Sequence, residues 1–167
     1  GPVSTPAFSG HLYVLGFICD FSRYAVLYFL RTHSAAAITE AFTRFLRWVR
    51  QQGFTTSGMC FQSDNASEFT GHELGDFFAK HAITPRTSAA YRHENQAIIE
   101  RLWRTIQDTA RTLLMAASLN VELWTLAFQH AAYLYNRLPH AHNGMVSPFQ
   151  IMFRRRPDFS HLYVFGS

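Results

Sequence analysis

The order of hydrophobic patterns along the chain constrains its fold most strongly. Two apolar runs rich in β-branched and aromatic residues, 11–20 and 24–30, are separated by a short turn and predict an antiparallel strand pair. Apolar residues at helical spacing follow from Ser34, a typical N-cap, to about Gln51, and Gly53 then stops the helix. The chain therefore begins with strands and continues with a helix.

The alternation continues toward the C-terminus. The patterns predict a short buried strand at 59–61, a short helix over 71–81, a weak strand over 83–89, long helices over about 95–118 and 121–138, and a strand-like segment at 161–165. Strands first, then strands and helices in alternation, then helices are typical of a layered α/β domain. Residues 1–167 have the length of one such domain.

The composition excludes several classes of protein. With 48% apolar and 16% aromatic residues the chain is not disordered. It has no run of ~18 apolar residues and no leader pattern, so a soluble, intracellular protein is expected. Cys19 and Cys60 both lie in apolar runs and are expected to be free buried thiols, with a disulfide or metal pair as the alternative. No His/Cys group has zinc spacing, so no zinc is expected.

The basic residues are almost all arginine. The net charge is +4, and Lys80 is the single lysine beside fourteen arginines. The planar guanidinium fork suits phosphate contacts. Codon bias in a GC-rich genome explains the excess equally well, and the two interpretations stay open.

Two carboxylates occupy positions that suit metal-dependent chemistry. Asp64 follows a predicted buried strand, and Glu100 lies near the start of a long helix, with 35 residues between them. This spacing alone is weak evidence. Carboxylates at a strand end and on the next helix can nevertheless converge, and such oxygens hold paired Mg²⁺ ions about 3.5–4 Å apart in phosphodiester chemistry. Asp64 and Glu100 are therefore the candidate catalytic and metal-binding residues.

Many separated motifs together cover essentially the whole chain. They are Phe21-Ser22-Arg23-Tyr24, Ser63-Asp64-Asn65 with Glu68-Phe69, Ser88-Ala89 with Tyr91, Ile99-Glu100-Arg101 with Arg104-Thr105, Tyr135-Asn136-Arg137-Leu138-Pro139, Ser147-Pro148-Phe149, and Arg156-Pro157-Asp158-Phe159-Ser160-His161-Leu162 with Val164-Phe165-Gly166. In order and spacing these motifs resemble the copia-type retrotransposon integrase core.

The resemblance implies a ribonuclease-H-like fold of the retroviral integrase superfamily, a mixed sheet flanked by helices. It also implies a polynucleotidyl transferase that joins retroelement DNA ends to target DNA at an Asp-Asp-Glu site holding Mg²⁺ or Mn²⁺. Asp64 matches the family's second catalytic Asp, and Glu100 matches its catalytic Glu. A homodimer that acts on DNA in the nucleus is expected, and a host tethering factor is conceivable.

The first catalytic Asp is not matched within the chain. In the family pattern it precedes a Gly-Pro, and Gly1-Pro2 stands at the family's distance from Phe21-Ser22-Arg23. The resemblance therefore places that Asp upstream of residue 1, together with the family's central first strand, and an inactive fragment is expected. Residues 162–165 are a candidate to fill the missing strand's place. Asp20 is then a strand-end residue bonded to the following turn, with metal binding as the lesser alternative.

Departures from the family pattern leave the enzymatic role open. The family's glycine pair is Ala66-Ser67 here, its Pro-Tyr-x-Pro stretch is residues 90–93, and its Gln-Asn-Gly is residues 95–97. Loss of these Gly and Pro residues changes loop stiffness. The alternative to an integrase core is accordingly a domesticated DNA- or protein-binding scaffold without catalysis.

Arginines surround the catalytic candidate on the long helix. Arg101 is adjacent to Glu100, while Arg104 and Arg111 lie four and eleven positions later, near the same helix face. They are the candidate DNA-binding residues; a solvated face with a Glu100–Arg104 pair is the alternative. A second basic run, Arg154-Arg155-Arg156, suits a phosphate patch, a nuclear-import signal or a basic tail.

Overall fold

A computed structural model describes residues 3–63, 72–87 and 92–167, without the side chains of 72, 87 and 92–98. The described chain divides into two compact units. One contains residues 1–29 and 98–167, and the other contains residues 30–97.

The first two strands form a hairpin. β1 (Tyr13–Ile18) pairs with β2 (Ala25–Leu30), and a connection of so few residues is too short for a parallel crossover. The Cys19 amide donates to the Tyr24 carbonyl at 3.0 Å and closes the hairpin. The predicted antiparallel pair is therefore present.

Helix α1 (Ala35–Gln51) begins where the sequence predicts it. The Ser34 hydroxyl accepts from the Ala37 amide at 3.3 Å, as an N-cap does, and Gly53 follows the helix with a φ of 83°. The side chains that it buries recur at helical spacing: Ile38, Ala41, Phe42, Leu46 and Val49.

The unit of residues 30–97 also contains a parallel strand pair. β3 (Cys60–Ser63) pairs in parallel with β4 (Thr84–Thr87), with Cys60 opposite Thr84, and helix α2 (His72–Lys80) lies between them in sequence. Phe42 of α1 contacts Phe61 and Phe78 with ring centres 4.7 and 5.2 Å apart. This aromatic cluster joins α1, α2 and β3.

The other unit is built mainly from helices. They are α3 (Arg92–Ala116), α4 (Trp124–Arg137) and α5 (Pro148–Phe153), with 3-10 turns at Val121–Leu123 and Ala141–Asn143. Ile106 of α3 and Ala127 of α4 are fully buried in a core that also holds Val14 and Ala25 of the hairpin. No helix among the described residues has the length and apolar character needed to cross a membrane.

Two predictions about buried segments are wrong. Residues 161–165 form no strand; the Phe165 ring centre instead lies 5.3 Å from that of His130 on α4, so residues 162–165 do not take the place of a sheet strand within the chain. Cys60 is exposed and Cys19 only partly buried, although both are free as expected. Successive residues of a strand face opposite sides, and in β3 it is Phe61 that packs against Phe42.

Candidate active site

Helix α3 presents Glu100 to solvent. Leu102, Ile106 and Ala110 are 4%, 0% and 1% exposed and form the face that packs into the core. Because this face of the helix points into the core, Glu100, Arg104 and Arg111 are exposed. Arg101 is exposed as well. Glu100 is therefore an accessible carboxylate with exposed arginines beside it in the sequence.

Arg111 is only weakly engaged with an acidic side chain. Arg111 lies 3.9 Å from Asp108 in an exposed pair, an arrangement that contributes little to stability. The described side chains of Glu100 and Arg104 form no ion pair, so the alternative of an intrahelical pair between them is wrong. The guanidinium of Arg104 is free of any acidic partner among the described residues and available to another anion.

Asp64 lies outside the described residues, directly after the last residue of β3, Ser63. The altered glycine pair Ala66-Ser67 and residues 90 and 91 lie outside them too. Within the described chain no group of three or more His, Cys, Asp or Glu side chains could hold a metal ion. The proximity of Asp64 to Glu100 therefore remains a prediction.

Asp20 belongs to the hairpin turn. Its carboxylate accepts from the Arg23 guanidinium at 2.7 Å, and its side chain is 81% exposed. Arg23 has a φ of 61°, and its amide donates to the Cys19 carbonyl at 2.8 Å. Asp20 is thus bonded to the turn that follows its strand, the arrangement that the sequence analysis favours over metal binding.

Ser22, the central residue of the Phe21-Ser22-Arg23 motif, has a structural role in the hairpin turn. This residue is fully buried. Its hydroxyl oxygen accepts from the Tyr24 amide at 3.2 Å and donates to the Met152 sulfur on α5 at 3.4 Å. The turn is thereby attached to the C-terminal part of the same unit.

A histidine loop, residues 139–146, lies against that turn and was not recognised in the sequence as part of a site. Asn143 donates to the Ser22 carbonyl at 3.3 Å. The His140 ring stacks on Tyr135 and His142, with centres 4.3 and 5.2 Å away, and its Nε2 lies 2.7 Å from the Tyr135 carbonyl oxygen. The only sequence signal is His-x-His after a helix-ending proline.

Positive charge converges on this histidine loop. Burial lowers the pKa of His142, and the charges of His140, Arg23 and Arg101 lower it further. Arg101 is the immediate neighbour of Glu100 on α3. Arg23 of the turn and Arg101 of α3 therefore both oppose protonation of His142.

The fold is similar to that of integrase catalytic core domains. The chain is similar to the catalytic core domain of BIV integrase with a TM-score of 0.66 at 18% identity, over 84% of this chain and 85% of that one. It is also similar to the HTLV-2 integrase catalytic core domain, solved in complex with magnesium, with a TM-score of 0.60 at 16% identity, over 83% of this chain and 91% of that one. Both likenesses show a mixed α/β, ribonuclease-H-like fold.

Sequence comparison identifies the family. Residues 2–93 match the integrase core domain family. The chain is 36% identical over 165 residues to the retrovirus-related Pol polyprotein from transposon RE1 of Arabidopsis thaliana, which covers 98% of this chain and 11% of that polyprotein. The chain belongs to the integrase core family, and it is of the copia type found in retrotransposon Pol polyproteins. It spans about a tenth of the length of such relatives.

Proposed function

We propose that this domain is the catalytic core of a retrotransposon integrase, a metal-dependent polynucleotidyl transferase that joins retroelement DNA ends to target DNA. The observation that carries the proposal is the position of Glu100. Its carboxylate is exposed on the face of α3 opposite the buried stripe, with Arg101 and Arg104 also exposed beside it. An acidic metal ligand with phosphate-binding cations around it is what phosphodiester chemistry requires.

The expected metal ligands are Asp64, Glu100 and a third carboxylate, the first Asp of the Asp-Asp-Glu site that the resemblance implies. Carboxylate oxygens are the hard donors that Mg²⁺ and Mn²⁺ prefer. When bound, the metal would activate the attacking water or hydroxyl and stabilise the leaving oxygen. Arg101, Arg104 and Arg111 would hold DNA phosphates and so position the reacting strand. The protein is expected to act in the nucleus as a homodimer or larger multimer.

A Mn²⁺-dependent strand-cleavage and disintegration assay tests this proposal. The proteins compared are this chain, the chain extended upstream through the expected Asp, and Asp64→Asn and Glu100→Gln variants of both. Glu40→Gln removes an exposed carboxylate from α1 and serves as the charge-matched control. Activity is expected in the extended chain and its Glu40→Gln variant, and loss to background in the other two variants, each verified as folded by circular dichroism.

The other outcomes are equally informative. Activity in the short chain would contradict the upstream carboxylate and make Asp20 a metal-ligand candidate again. Absence of activity in every folded version would contradict catalysis and favour the domesticated scaffold.

A further inference from the structure

Four arginines come together at the C-terminal ends of α4 and α5. Arg137 is the last residue of α4, and Arg154, Arg155 and Arg156 follow α5 directly. The last three are exposed. We call these four residues the arginine patch.

One aromatic ring connects the two helix ends. The Cζ atoms of Arg137 and Arg155 lie 5.0 and 5.5 Å from the ring centre of Phe149, which is only 9% exposed. Arg137 also lies over the Tyr133 ring, with its Cζ 3.6 Å from the centre. Cation–π contacts at these distances hold guanidinium groups in place. Two positive charges from different helices are therefore positioned on a common platform.

The charge of the arginine patch is not neutralised by the described part of the protein. No described carboxylate forms an ion pair with any of the four arginines. Asp158, the nearest acidic residue in sequence, is occupied by hydrogen bonds from the amide and hydroxyl of Ser160 at 2.8 and 2.9 Å. Positioned like charges without counterions are electrostatically unfavourable, and an anionic ligand would relieve that repulsion.

The Arg137 guanidinium forms hydrogen bonds with its neighbours, among them one with the Tyr24 side chain. Its Nη1 donates to the Tyr133 carbonyl at 3.4 Å, but its buried Nε has no hydrogen-bond partner among the described residues. A buried donor without a partner costs free energy. The aromatic contacts therefore hold the Arg137 guanidinium in a fixed position, and its positive charge adds to that of the exposed arginines beside it.

We propose that the arginine patch binds the phosphodiester backbone of double-stranded DNA, as a contact region additional to the face around Glu100. This inference rests on the proposed function, because it takes DNA as the ligand. An acidic protein partner that reads the basic run as an extended peptide is less well supported. Arg137 and Arg155 come from separate elements and are held on Phe149, which produces a preformed surface rather than a linear motif.

The test measures binding of a fluorescein-labelled duplex of about 30 base pairs by anisotropy, with EDTA present, between about 50 and 200 mM KCl. The Arg155→Ala/Arg156→Ala variant is compared with Arg44→Ala/Arg47→Ala, which removes the same charge from exposed positions of α1. Arg154 is left unchanged so that the left-handed C-cap of α5, where its φ is 54°, keeps its own residue. Arg137→Lys keeps the charge but loses the planar fork.

We expect the Arg155/Arg156 variant to bind DNA roughly tenfold or more weakly and to reduce the slope of log affinity against log salt by about 2. The Arg44→Ala/Arg47→Ala variant should change the affinity and the salt slope much less, and Arg137→Lys should weaken DNA binding. Equal losses in the two double variants, or no DNA binding by the unmodified protein, would overturn the proposal. Undiminished DNA binding by the Arg155/Arg156 variant with loss of binding to a polyglutamate peptide would overturn it in favour of a protein partner.

Because EDTA removes the metal requirement, this result is separable from catalysis. Weakened DNA binding by the Arg155/Arg156 variant, with no strand transfer by any version, would uphold the arginine patch and reject the proposed function. Normal DNA binding by that variant, with metal-dependent strand transfer intact, would reject the patch alone.

Discussion

Asn136 on α4 forms two hydrogen bonds with the backbone of Ala25 on β2. Its Nδ2 donates to the Ala25 carbonyl at 2.7 Å, and its Oδ1 accepts from the Ala25 amide at 2.8 Å. Since the Tyr24 carbonyl pairs with Cys19 inside the hairpin, the polar groups of Ala25 point to the opposite edge. The amide of Asn136 therefore satisfies that edge of β2 as a neighbouring strand would.

Asn136→Ala should destabilise the protein by about 2–3 kcal/mol, because two buried backbone groups lose their partners. Asn136 is 4% exposed and Ala25 is 2% exposed, so water cannot readily replace the amide. Urea unfolding followed by circular dichroism measures the change. Asn143→Ala, which removes one longer bond at the part-buried turn, is the matched control and should cost less than about 1 kcal/mol. Equal costs in the two variants would contradict the edge-pairing role of Asn136.

Gly16 of β1 lies where α3 approaches the hairpin. A Cβ at this position would be 2.7 Å from Cζ2 of Trp103. Gly16→Ala should therefore cost about 1–3 kcal/mol through overpacking, measured as a shift of the urea midpoint.

Gly75 provides the control for that substitution. It lies within α2, and a Cβ there would meet nothing within 4 Å. Gly75→Ala should stabilise the protein by about 0.5–1 kcal/mol, because alanine loses less backbone entropy in a helix. A neutral Gly16→Ala would show that Trp103 moves aside without cost.

Stability should fall at alkaline pH because of Tyr135. Burial raises the pKa of its hydroxyl from 10.0 to about 12, against a smaller opposing effect of the Arg23 charge. Between pH 10 and 12 the unfolded chain ionises this tyrosine first, so stability is lost as pH rises through that window. At pH 11 the loss from this group is about 1 kcal/mol.

Tyr135→Phe removes the titrating group and isolates its contribution. The difference in unfolding free energy between pH 9 and pH 11 should be about 1 kcal/mol smaller in this variant than in the unmodified protein. Tyr163→Phe, at a side chain that is 74% exposed, should leave that difference unchanged. Identical pH profiles for all three proteins would exclude Tyr135 as a source of alkaline sensitivity.

The two cysteines should differ in accessibility. Cys60 is exposed on β3, whereas Cys19 is part-buried in the hairpin turn, where its sulfur accepts from the Ser22 amide at 3.5 Å. A thiol reagent under native conditions should therefore modify Cys60 rapidly and Cys19 slowly. Cys60→Ser should abolish the fast phase, and Cys19→Ser should abolish the slow one. The reverse assignment would contradict the orientation of β3.

Local pattern was sufficient to predict most elements. The Ser34 cap, the periodic stripe of α1, the hairpin and the two long helices are specified by contacts within a few residues, so their positions could be predicted from spacing alone. The exposed position of Glu100 was not predicted; it follows from the structure, in which Leu102, Ile106 and Ala110 form the buried face of the helix.

Tertiary contacts decided the remainder, because they join residues that sequence spacing does not relate. The apolar run around Phe165 has the composition of a strand, yet its aromatic ring lies against His130 on α4. Phe61 takes the inward side of β3 because Phe42 lies there, which leaves Cys60 outside. Arg137 and Arg155, eighteen residues apart, share Phe149 only because the chain folds back between α4 and α5. The sequence by itself determined the elements and the family, whereas the packing of distant side chains determined which charges and edges are left for a partner.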